Sequence, residues 1–534
     1  MFSMKILRGF GQGVAAVALA AFLAGPPLTL AGARQDVNAR RPDGSTPLQW
    51  AAFEGNVAEA KRLIAAGADV NAGNNYGINA MLLAADIAST ELIQLLLKAG
   101  ADPNSANPEG ETALHLVARA GNVEAARLLL KAGAKADPRE KFGEQTPLMW
   151  AVVRRHPAMV EFLLAHGADV NARSAVRDYQ RVATAESRAK SLDRGGFTPL
   201  IYAARENCGE CVELLIRHGV DLNLADPTGV VPLVIAIING NTDIAKRLIE
   251  AGADVNQWDI FGQAPLHVAI SSMNSGGRSA NPRDADQVQA ATGAELVQML
   301  IERGANPDQQ VAYPSVVRGG FRGTTPLLAA VSAGNLELVK QLVAVGGNIR
   351  MATSEGQGAV HAAVQARGGG GGGRGAGPPG GAPAGAPARG GAGPGGAARA
   401  SPQVELLKYV VAQGADVNII AERNWRYRTR GGSALHFVVR GGGDRQVIKA
   451  LVDLGLDINA KDDDGLTALD YAMSRGMLGF QEQRQPPNTA LADYLRSLGA
   501  NVELEWAPVW PRLGAPLSTN AYDSIPWPVD PKGP

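Results

Sequence analysis

The sequence contains few of the residues from which catalytic and metal sites are built. Its 534 residues include two cysteines and seven histidines, and aromatic residues make up 5% of the chain. Lysine plus arginine equals aspartate plus glutamate at 51 each, so the overall charge indicates neither a nucleic acid nor an anionic membrane as partner. The chain has no glycine-rich phosphate loop, no nucleophile elbow and no histidine pair with metal-ligand spacing. The sequence therefore predicts no enzyme activity and no cofactor.

A tetrapeptide of the form Thr-Pro-Leu-His recurs along the chain in clear or degenerate copies, usually 33 residues apart. The copies begin at Thr46, Asn79, Thr112, Thr146, Thr198, Val231, Ala264, Thr325, Gly358, Ser433 and Thr467. A second motif, Gly-Ala-Asp-Val-Asn, keeps the same register and begins at Gly67, Gly167, Gly252 and Gly414. Two motifs in constant phase indicate an array of structural repeats.

Each unit is predicted to form a turn, a helix, a second turn and a second helix. In the first unit Thr46 caps a helix that tolerates Pro47 in its first turn, and Gly67 ends the second helix. With copies such as Thr112-Ala113-Leu114-His115, the chain resembles the ankyrin-repeat family over roughly residues 41–503. The resemblance implies an all-α solenoid of about eleven helix-turn-helix repeats with finger loops. It also implies that the fingers and the ends of the first helices line a concave surface that binds another protein.

Most residues that look functional have a structural interpretation in such an array. The resemblance assigns His115, His267, His361 and His436, at the fourth place of the tetrapeptide, to the turn network. Trp50, Trp150 and Tyr202 share one position after the tetrapeptide and are predicted to pack in the core. The run Asp462-Asp463-Asp464-Gly465 lacks the ligand alternation of a calcium loop and is interpreted as a solvated turn.

The two cysteines, Cys208 and Cys211, form a Cys-Gly-Glu-Cys motif where the fifth repeat enters its second helix. A helix N-terminus lowers a thiol pKa, which would suit a redox pair. The βαβ context of a thioredoxin-like motif is missing, so a structural disulfide or a pair of buried thiols is favoured. Haem attachment is excluded because Val212 stands where a histidine is required. A free-thiol count and a disulfide-exchange assay distinguish the remaining alternatives.

Residues 1–33 carry two basic residues and no acid, contain an uncharged apolar stretch, and end in Ala31-Gly32-Ala33, which has the form of a cleavage site. They are predicted to be a secretory signal peptide, which makes the protein exported, either periplasmic or secreted. Two alternatives stay open. The same small residues followed by Asp36-Val37-Asn38 resemble the end of a degenerate repeat, and the uncharged segment would also suit an uncleaved membrane anchor. A membrane is a predicted partner only if this segment is an uncleaved anchor.

Six insertions interrupt the regular spacing. Three extend the finger loops, at 171–195, 307–322 and 419–430, and three lie between paired helices, at 272–293, 367–402 and 476–487. The insertion 367–402 is almost entirely glycine, alanine, proline and arginine, and is predicted to be disordered. After the array, residues 504–534 form a tail rich in proline and tryptophan, interpreted as a cap on the last repeat or as a docking peptide.

The finger insertions carry net charges of +3, +1 and +3, and aromatic residues accompany their arginines. Arginine with exposed aromatics is the composition of interface hot spots. The predicted partner is therefore another protein with an acidic surface, and this chain is predicted to bind it as a monomer. The predicted partner-binding residues, in the fingers and at the ends of the first helices, are Phe53, Arg119, Arg154, Arg177, Tyr179, Arg181, Arg205, Phe321, Arg322, Trp425, Arg426, Tyr427, Arg428, Arg430 and Arg440.

Overall fold

The computed structural model describes residues 36–177, 195–274, 293–311, 323–366, 401–422, 431–463, 465–473 and 487–501. Within these ranges the chain forms twenty-two helices, which pair into eleven helical hairpins, and isolated bridges are the only β-type pairing. The first helices of the pairs are α1 (Pro47–Phe53), α3 (Ala80–Asp86), α5 (Ala113–Ala120), α7 (Pro147–Val153), α9 (Pro199–Glu206), α11 (Pro232–Ile238), α13 (Pro265–Asn274), α15 (Pro326–Ser332), α17 (Ala359–Gln365), α19 (Ala434–Arg440) and α21 (Ala468–Ala472). The second helices are α2 (Val57–Ala65), α4 (Thr90–Lys98), α6 (Val123–Lys131), α8 (Pro157–Ala165), α10 (Gly209–Arg217), α12 (Thr242–Glu250), α14 (Gly293–Glu302), α16 (Leu336–Ala344), α18 (Pro402–Ala412), α20 (Arg445–Asp453) and α22 (Thr489–Ser497).

The hairpins stack into a two-layer solenoid. Each first helix packs on the first helices of the neighbouring repeats, and contacts between second helices form the outer layer. Leucine, alanine, valine and isoleucine side chains from both layers form one continuous buried cluster along the array. A single repeat could not bury its own apolar face, so stability comes from stacking. The predicted fold class is confirmed.

The helix ends follow the chemistry of the repeat. Thr46 precedes α1 and accepts a hydrogen bond from the backbone N–H of Gln49, while Pro47 occupies the first helical position, where no N–H is needed. Asn56 caps α2 in the same way through the N–H of Glu59. Gly67 follows α2 with a φ of 91°, the left-handed conformation that glycine adopts without steric cost. These short helices therefore begin and end at the residues that the motif supplies.

An asparagine ladder connects successive repeats. The Oδ1 of Asn38 accepts a hydrogen bond from the N–H of Asp69 at 2.8 Å, and its Nδ2 donates to the carbonyl of Gly67 at 3.3 Å. The same double contact recurs at Asn71, Asn104, Asn256, Asn418 and Asn459. Because Asn38 already takes part, residues 36–38 belong structurally to the array, which was predicted to begin at residue 41.

The tetrapeptide histidines form a second connection between repeats. The Nδ1 of His115 accepts the N–H of Thr112 at 3.2 Å, and its Nε2 lies 3.1 Å from the carbonyl of Gln145 in the next repeat. His436 makes the equivalent contacts with Ser433 and with Leu466. The predicted role in the turn network is confirmed for these residues. Each imidazole also contacts the backbone carbonyl that lies just before the first helix of the next repeat.

The three aromatic residues predicted to pack in the core differ in burial. Tyr202 is buried, but Trp50 and Trp150 are only partly buried. The indole nitrogen of each of these two tryptophans is nevertheless buried. The guanidinium groups of Arg41 and Arg119 lie 4.2 and 5.7 Å from the ring centroids of Trp50 and Trp150. Core packing is confirmed for Tyr202, and Trp150 packs against the core cluster while it stays partly exposed.

Candidate protein-binding surface

The finger insertions leave the array from hairpin stems. Val176 and Gly195 form an antiparallel bridge at the ends of the first one. At the second, the N–H of Gly323 donates to the carbonyl of Val311 at 2.7 Å. At the third, Ala421 and Gly432 exchange two backbone hydrogen bonds of 3.0 and 2.8 Å. The described ends of these insertions therefore lie in the finger hairpins.

The other three insertions lie between the two helices of a hairpin, on the side opposite to the fingers. They fall between α13 and α14, between α17 and α18, and between α21 and α22. Helix α13 continues to Asn274, so it extends into the segment predicted as the insertion 272–293. The described ends of the two sets of insertions therefore lie at different edges of the array, one set at the fingers and the other at the turns between paired helices.

Large exposed apolar side chains are concentrated on the finger and first-helix side. Among the described residues they are Phe53, Ile87 and Ile238 at the ends of first helices, Tyr76, Phe142, Val176, Trp258, Ile260 and Ile420 in the fingers, and Val345 after a second helix. Only Val345 lies on the outer layer. Contiguous exposed apolar surface marks interaction sites on soluble proteins. This distribution identifies the inner side as the candidate binding surface.

Two of the predicted first-helix residues are exposed on this surface. Phe53 is 49% exposed, and its ring meets the edge of Trp50 at 5.7 Å between centroids. Arg154 follows α7 and is exposed, and its side chain has no hydrogen bond or ion pair to any residue that the structure describes. Both side chains are therefore available to a partner without breaking an internal contact.

Four other predicted arginines are held by contacts within the chain. Arg119 forms an ion pair with Asp86 at 2.5 Å, and Arg205 pairs with Glu206 at 3.1 Å. Arg440 donates to the carbonyl of Gly431 at 2.9 Å and stacks over aromatic rings of its own and the next repeat. Arg177 donates to the carbonyl of Phe142 at 3.0 Å and lies 4.3 Å above its ring. These contacts orient the guanidinium groups along the inner side.

The remaining predicted partner-binding residues lie outside the described residues. They are Tyr179, Arg181, Phe321, Arg322, Trp425, Arg426, Tyr427, Arg428 and Arg430, all in the finger insertions. The segment 1–33, most of the insertion 367–402 and the tail 504–534 also lie outside the described residues. For these segments the sequence-based interpretations stay predictions.

Several exposed finger residues were not identified from the sequence. Tyr76, Phe142, Trp258 and Ile260 lie at finger tips and are more than half exposed. The sequence did contain an indication of these exposed residues. The turns before the tetrapeptide are otherwise polar, and Tyr76 and Phe142 each stand directly before a glycine. An apolar residue inside a polar turn is therefore informative in this repeat.

A disulfide joins Cys208 to Cys211. Cys208 is the residue that precedes α10, and Cys211 is three residues further on. In the third repeat the same two positions are held by Asn122 and Ala125, where the asparagine Oδ1 accepts the N–H of Ala125 at 3.0 Å. The disulfide thus takes the place of the side-chain hydrogen bond that caps the helix in the third repeat. Cys211 is fully buried. This placement favours the structural interpretation over a redox pair.

The described part of the chain contains no cluster of three potential metal-ligating side chains. No helix in the described ranges combines the length and the apolar composition needed to cross a bilayer. Asp462, from the run that superficially resembles a calcium loop, instead accepts the N–H of Leu466 and the hydroxyl of Tyr471. Its carboxylate therefore stabilises the turn, and because Asp462 is buried, the prediction of a solvated turn does not hold for this residue.

These observations define a repeat solenoid with a candidate binding side, and the residues that the structure describes contain no recognisable catalytic centre. Family models for ankyrin repeats match the chain: a three-copy model at residues 19–107, 83–174, 211–278 and 288–370, a many-copy model at 410–472, and a single-repeat model at 195–224. The matches cover well over half of the sequence, and the chain belongs to the ankyrin-repeat family. The first match begins at residue 19, inside the segment predicted as a signal peptide.

Similar solved structures include the ankyrin repeat domain of Bcl-3, described as a unique member of the IkappaB protein family. It is 25% identical, aligns with 48% of this chain and 99% of its own, and has a TM-score of 0.38. The human ASB11 ankyrin repeat domain is 23% identical, aligns with 49% of this chain and 100% of its own, and has the same TM-score of 0.38. No curated protein sequence matches the chain significantly. Ankyrin-repeat domains generally mediate protein–protein interactions and are typically non-enzymatic scaffolds.

Proposed function

We propose that this protein is an exported, non-catalytic scaffold that binds another protein through the inner side of the array and its finger insertions. The observation that carries the proposal is the concentration of large exposed apolar side chains on the fingers and first-helix ends. The basic finger insertions favour a partner with an acidic surface. The array acts as a monomer, and it recognises the partner through contacts that involve several repeats at once.

Export rests on the composition of residues 1–33 and is supported by the Cys208–Cys211 disulfide, because disulfides persist in oxidising compartments. The alternative of a membrane-anchored structural protein differs in whether residues 1–33 stay attached. N-terminal sequencing of the mature protein distinguishes the two, since an intact N-terminus would contradict a cleaved signal peptide. The alternative of a redox module is disfavoured by the burial of Cys211 and by its position in a helix cap.

Reversing the charge of one finger insertion tests the role of the fingers. The partner is first identified by crosslinking in the native envelope followed by mass spectrometry. The variant Arg426→Glu, Arg428→Glu, Arg430→Glu is then expected to lower affinity for that partner by at least about tenfold, because like charges would face its acidic surface. The far-ultraviolet circular dichroism and the thermal midpoint should stay unchanged.

A matched control changes the total charge equally on the outer layer. Lys61, Lys98 and Lys131 are exposed on second helices, and their reversal to glutamate should leave affinity within about twofold. Equal losses for both triple variants would show a non-specific charge effect and contradict the proposed role of the fingers. Recovery of no specific partner would contradict the proposed function itself.

A further inference from the structure

One step of the asparagine ladder has a carboxylate in place of the amide. At the preceding step, the Oδ1 of Asn104 accepts the N–H of Lys135 and its Nδ2 donates to the carbonyl of Gly133, both at 2.9 Å. Asp137 holds the equivalent place one repeat further on, and its Oδ2 accepts the N–H of Asp169 at 2.8 Å. Because a carboxylate has nearly the shape of an amide, the Oδ1 of Asp137 takes the place of the donating nitrogen.

This second oxygen of Asp137 has no compensating contact. Gly167 ends its helix with a positive φ as Gly133 does, so the Oδ1 is turned toward the carbonyl of Gly167, which is also an acceptor. The Oδ1 is buried, and no described residue forms a hydrogen bond with it. At the other ladder carboxylate, Asp308, the two oxygens both lie near the N–H of Asn348, at 2.8 and 3.1 Å. The step at Asp137 is therefore destabilised by a buried acceptor that lacks a donor.

A proton on the Oδ1 removes this conflict. An ionised carboxylate only accepts hydrogen bonds, whereas the protonated acid has one O–H donor. Burial raises the pKa of Asp137 above its ordinary value of 3.8, and the negative charge of Asp169 in the next finger acts in the same direction. The hydrogen bond from the N–H of Asp169 and the positive charge of Arg139, in the same finger as Asp137, lower the pKa. The net rise shows that the folded chain favours the protonated form.

The step at Asp137 lies beside the described base of the first finger insertion. The Nη1 of Arg139 donates to the carbonyl of Arg173 at 2.6 Å, and the N–H of Ala175 donates to the carbonyl of Gly143 at 2.6 Å. These contacts and the ladder step join the finger that follows the third repeat to the base of the insertion that follows the fourth. The state of the ladder step therefore affects how firmly these two fingers are held together.

We propose that Asp137 is a proton-operated joint between these two fingers. When Asp137 is protonated, its O–H donates to the carbonyl of Gly167 and completes the ladder step. When Asp137 is ionised, the step keeps only the contact with Asp169, and the base of the first finger insertion is held less firmly. The array therefore holds this insertion more tightly in an acidic environment than in a neutral one.

The direction of the pH dependence follows from the raised pKa of Asp137. The folded step binds its proton more tightly than the unfolded chain does. The contribution of the step to stability is therefore fully present below the unfolded pKa of about 3.9, and it is lost as the pH rises through the folded value.

Hydrogen exchange on the full-length protein tests the joint at the amide of Asp169, which donates to Asp137. The variant Asp137→Asn supplies a donor at every pH. At about pH 7.5 the protection factor of this amide is expected to be about tenfold higher in the variant than in the parent, because the parent is ionised. At about pH 4 the two proteins should agree within about twofold, because the parent is then protonated. Acid effects elsewhere in the array are common to both proteins and cancel in the ratio.

A reciprocal variant and a matched control complete the experiment. Asn104→Asp creates the same geometry one step earlier, so the protection factor of the Lys135 amide should fall about tenfold at about pH 7.5 and recover at about pH 4. Asp102→Asn removes one exposed negative charge from the same row, and its amide oxygen can still accept the N–H of Asn104, which Asp102 accepts at 2.8 Å. This control should leave the protection of the Asp169 amide unchanged.

Equal protection of the Asp169 amide in the parent and in Asp137→Asn at about pH 7.5 would overturn the proposal. A gain that persists undiminished at about pH 4 would also overturn it, because the gain would then come from the amide and not from the missing proton. An equal gain in Asp102→Asn would show a general effect of charge and contradict the joint. The measurement needs no partner protein, so a failure of the joint and a failure of the proposed binding function are separate results.

Discussion

Lowering the pH from about 7 to about 4.5 is expected to destabilise the array by about 2 kcal/mol for each of His115, His267 and His361. Burial lowers the pKa of His115, His267 and His361 from 6.5 to about 4, because the charged imidazolium would lose its hydration. The unfolded chain therefore takes up protons near pH 6.5, whereas the folded chain takes them up only near pH 4. Stability is present above pH 6.5, falls as the pH drops through this window, and stops falling below pH 4.

The first repeat supplies a non-titrating replacement for the histidine. Gln49 occupies the same place and donates from Nε2 to the carbonyls of Ala72 and Ile78 at 2.7 and 2.9 Å. A variant with glutamine at positions 115, 267 and 361 should therefore retain the bridge between repeats and lose most of the pH dependence. Urea unfolding at several pH values measures the difference. An unchanged pH dependence would show that other groups, such as the carboxylates, cause the acid sensitivity.

Glu140→Ala is expected to lower the free energy of unfolding by about 3 kcal/mol and to disorder one finger tip. The Oε1 of Glu140 accepts the N–H groups of Gly143 and Gln145 at 2.7 and 3.0 Å, and Oε2 accepts that of Phe142 at 2.6 Å. Removing the carboxylate leaves three backbone donors without an acceptor. Because the same turn presents Phe142 and its stacked Arg177, partner affinity should fall as well.

Glu140→Gln is the control for this variant. Its amide oxygen can still accept two of the three N–H groups, so the loss should be about 1 kcal/mol. Hydrogen exchange at the amides of residues 142, 143 and 145 reports the local effect, and urea unfolding reports the global one. Equal stability of the alanine variant and the parent would contradict the assigned role of Glu140.

The sequence was sufficient to predict the fold because the repeat signals are local. Thr46 and Pro47 define a helix start, and Gly67 defines a helix end, without any knowledge of the neighbouring repeats. Repetition at constant spacing then supplies the tertiary arrangement, since each repeat contacts only its neighbours. The beginning of the array was less clear, because Asp36-Val37-Asn38 retains only the ladder residue of a repeat.

The binding surface was predictable only in part. The ends of the first helices could be located, but the pairing of Arg119 with Asp86 depends on residues 33 positions apart that meet only after stacking. The exposure of Phe142 and Trp258 likewise depends on their positions at the finger tips of the folded array. The sequence placed Trp50 and Trp150 at core positions, but it did not indicate that both side chains stay partly exposed.

Site-specific photo-crosslinking at two equally exposed positions tests the central claim most directly. Phe53 at the end of α1 and Val345 on the outer layer are both 49% exposed, so a benzophenone amino acid at either position meets solvent to the same extent. In the native envelope, the label at position 53 is expected to capture a defined partner protein, and the label at position 345 is expected to capture none. Capture of the same protein with equal yield at both positions, or at position 345 alone, would contradict a binding function of the inner side.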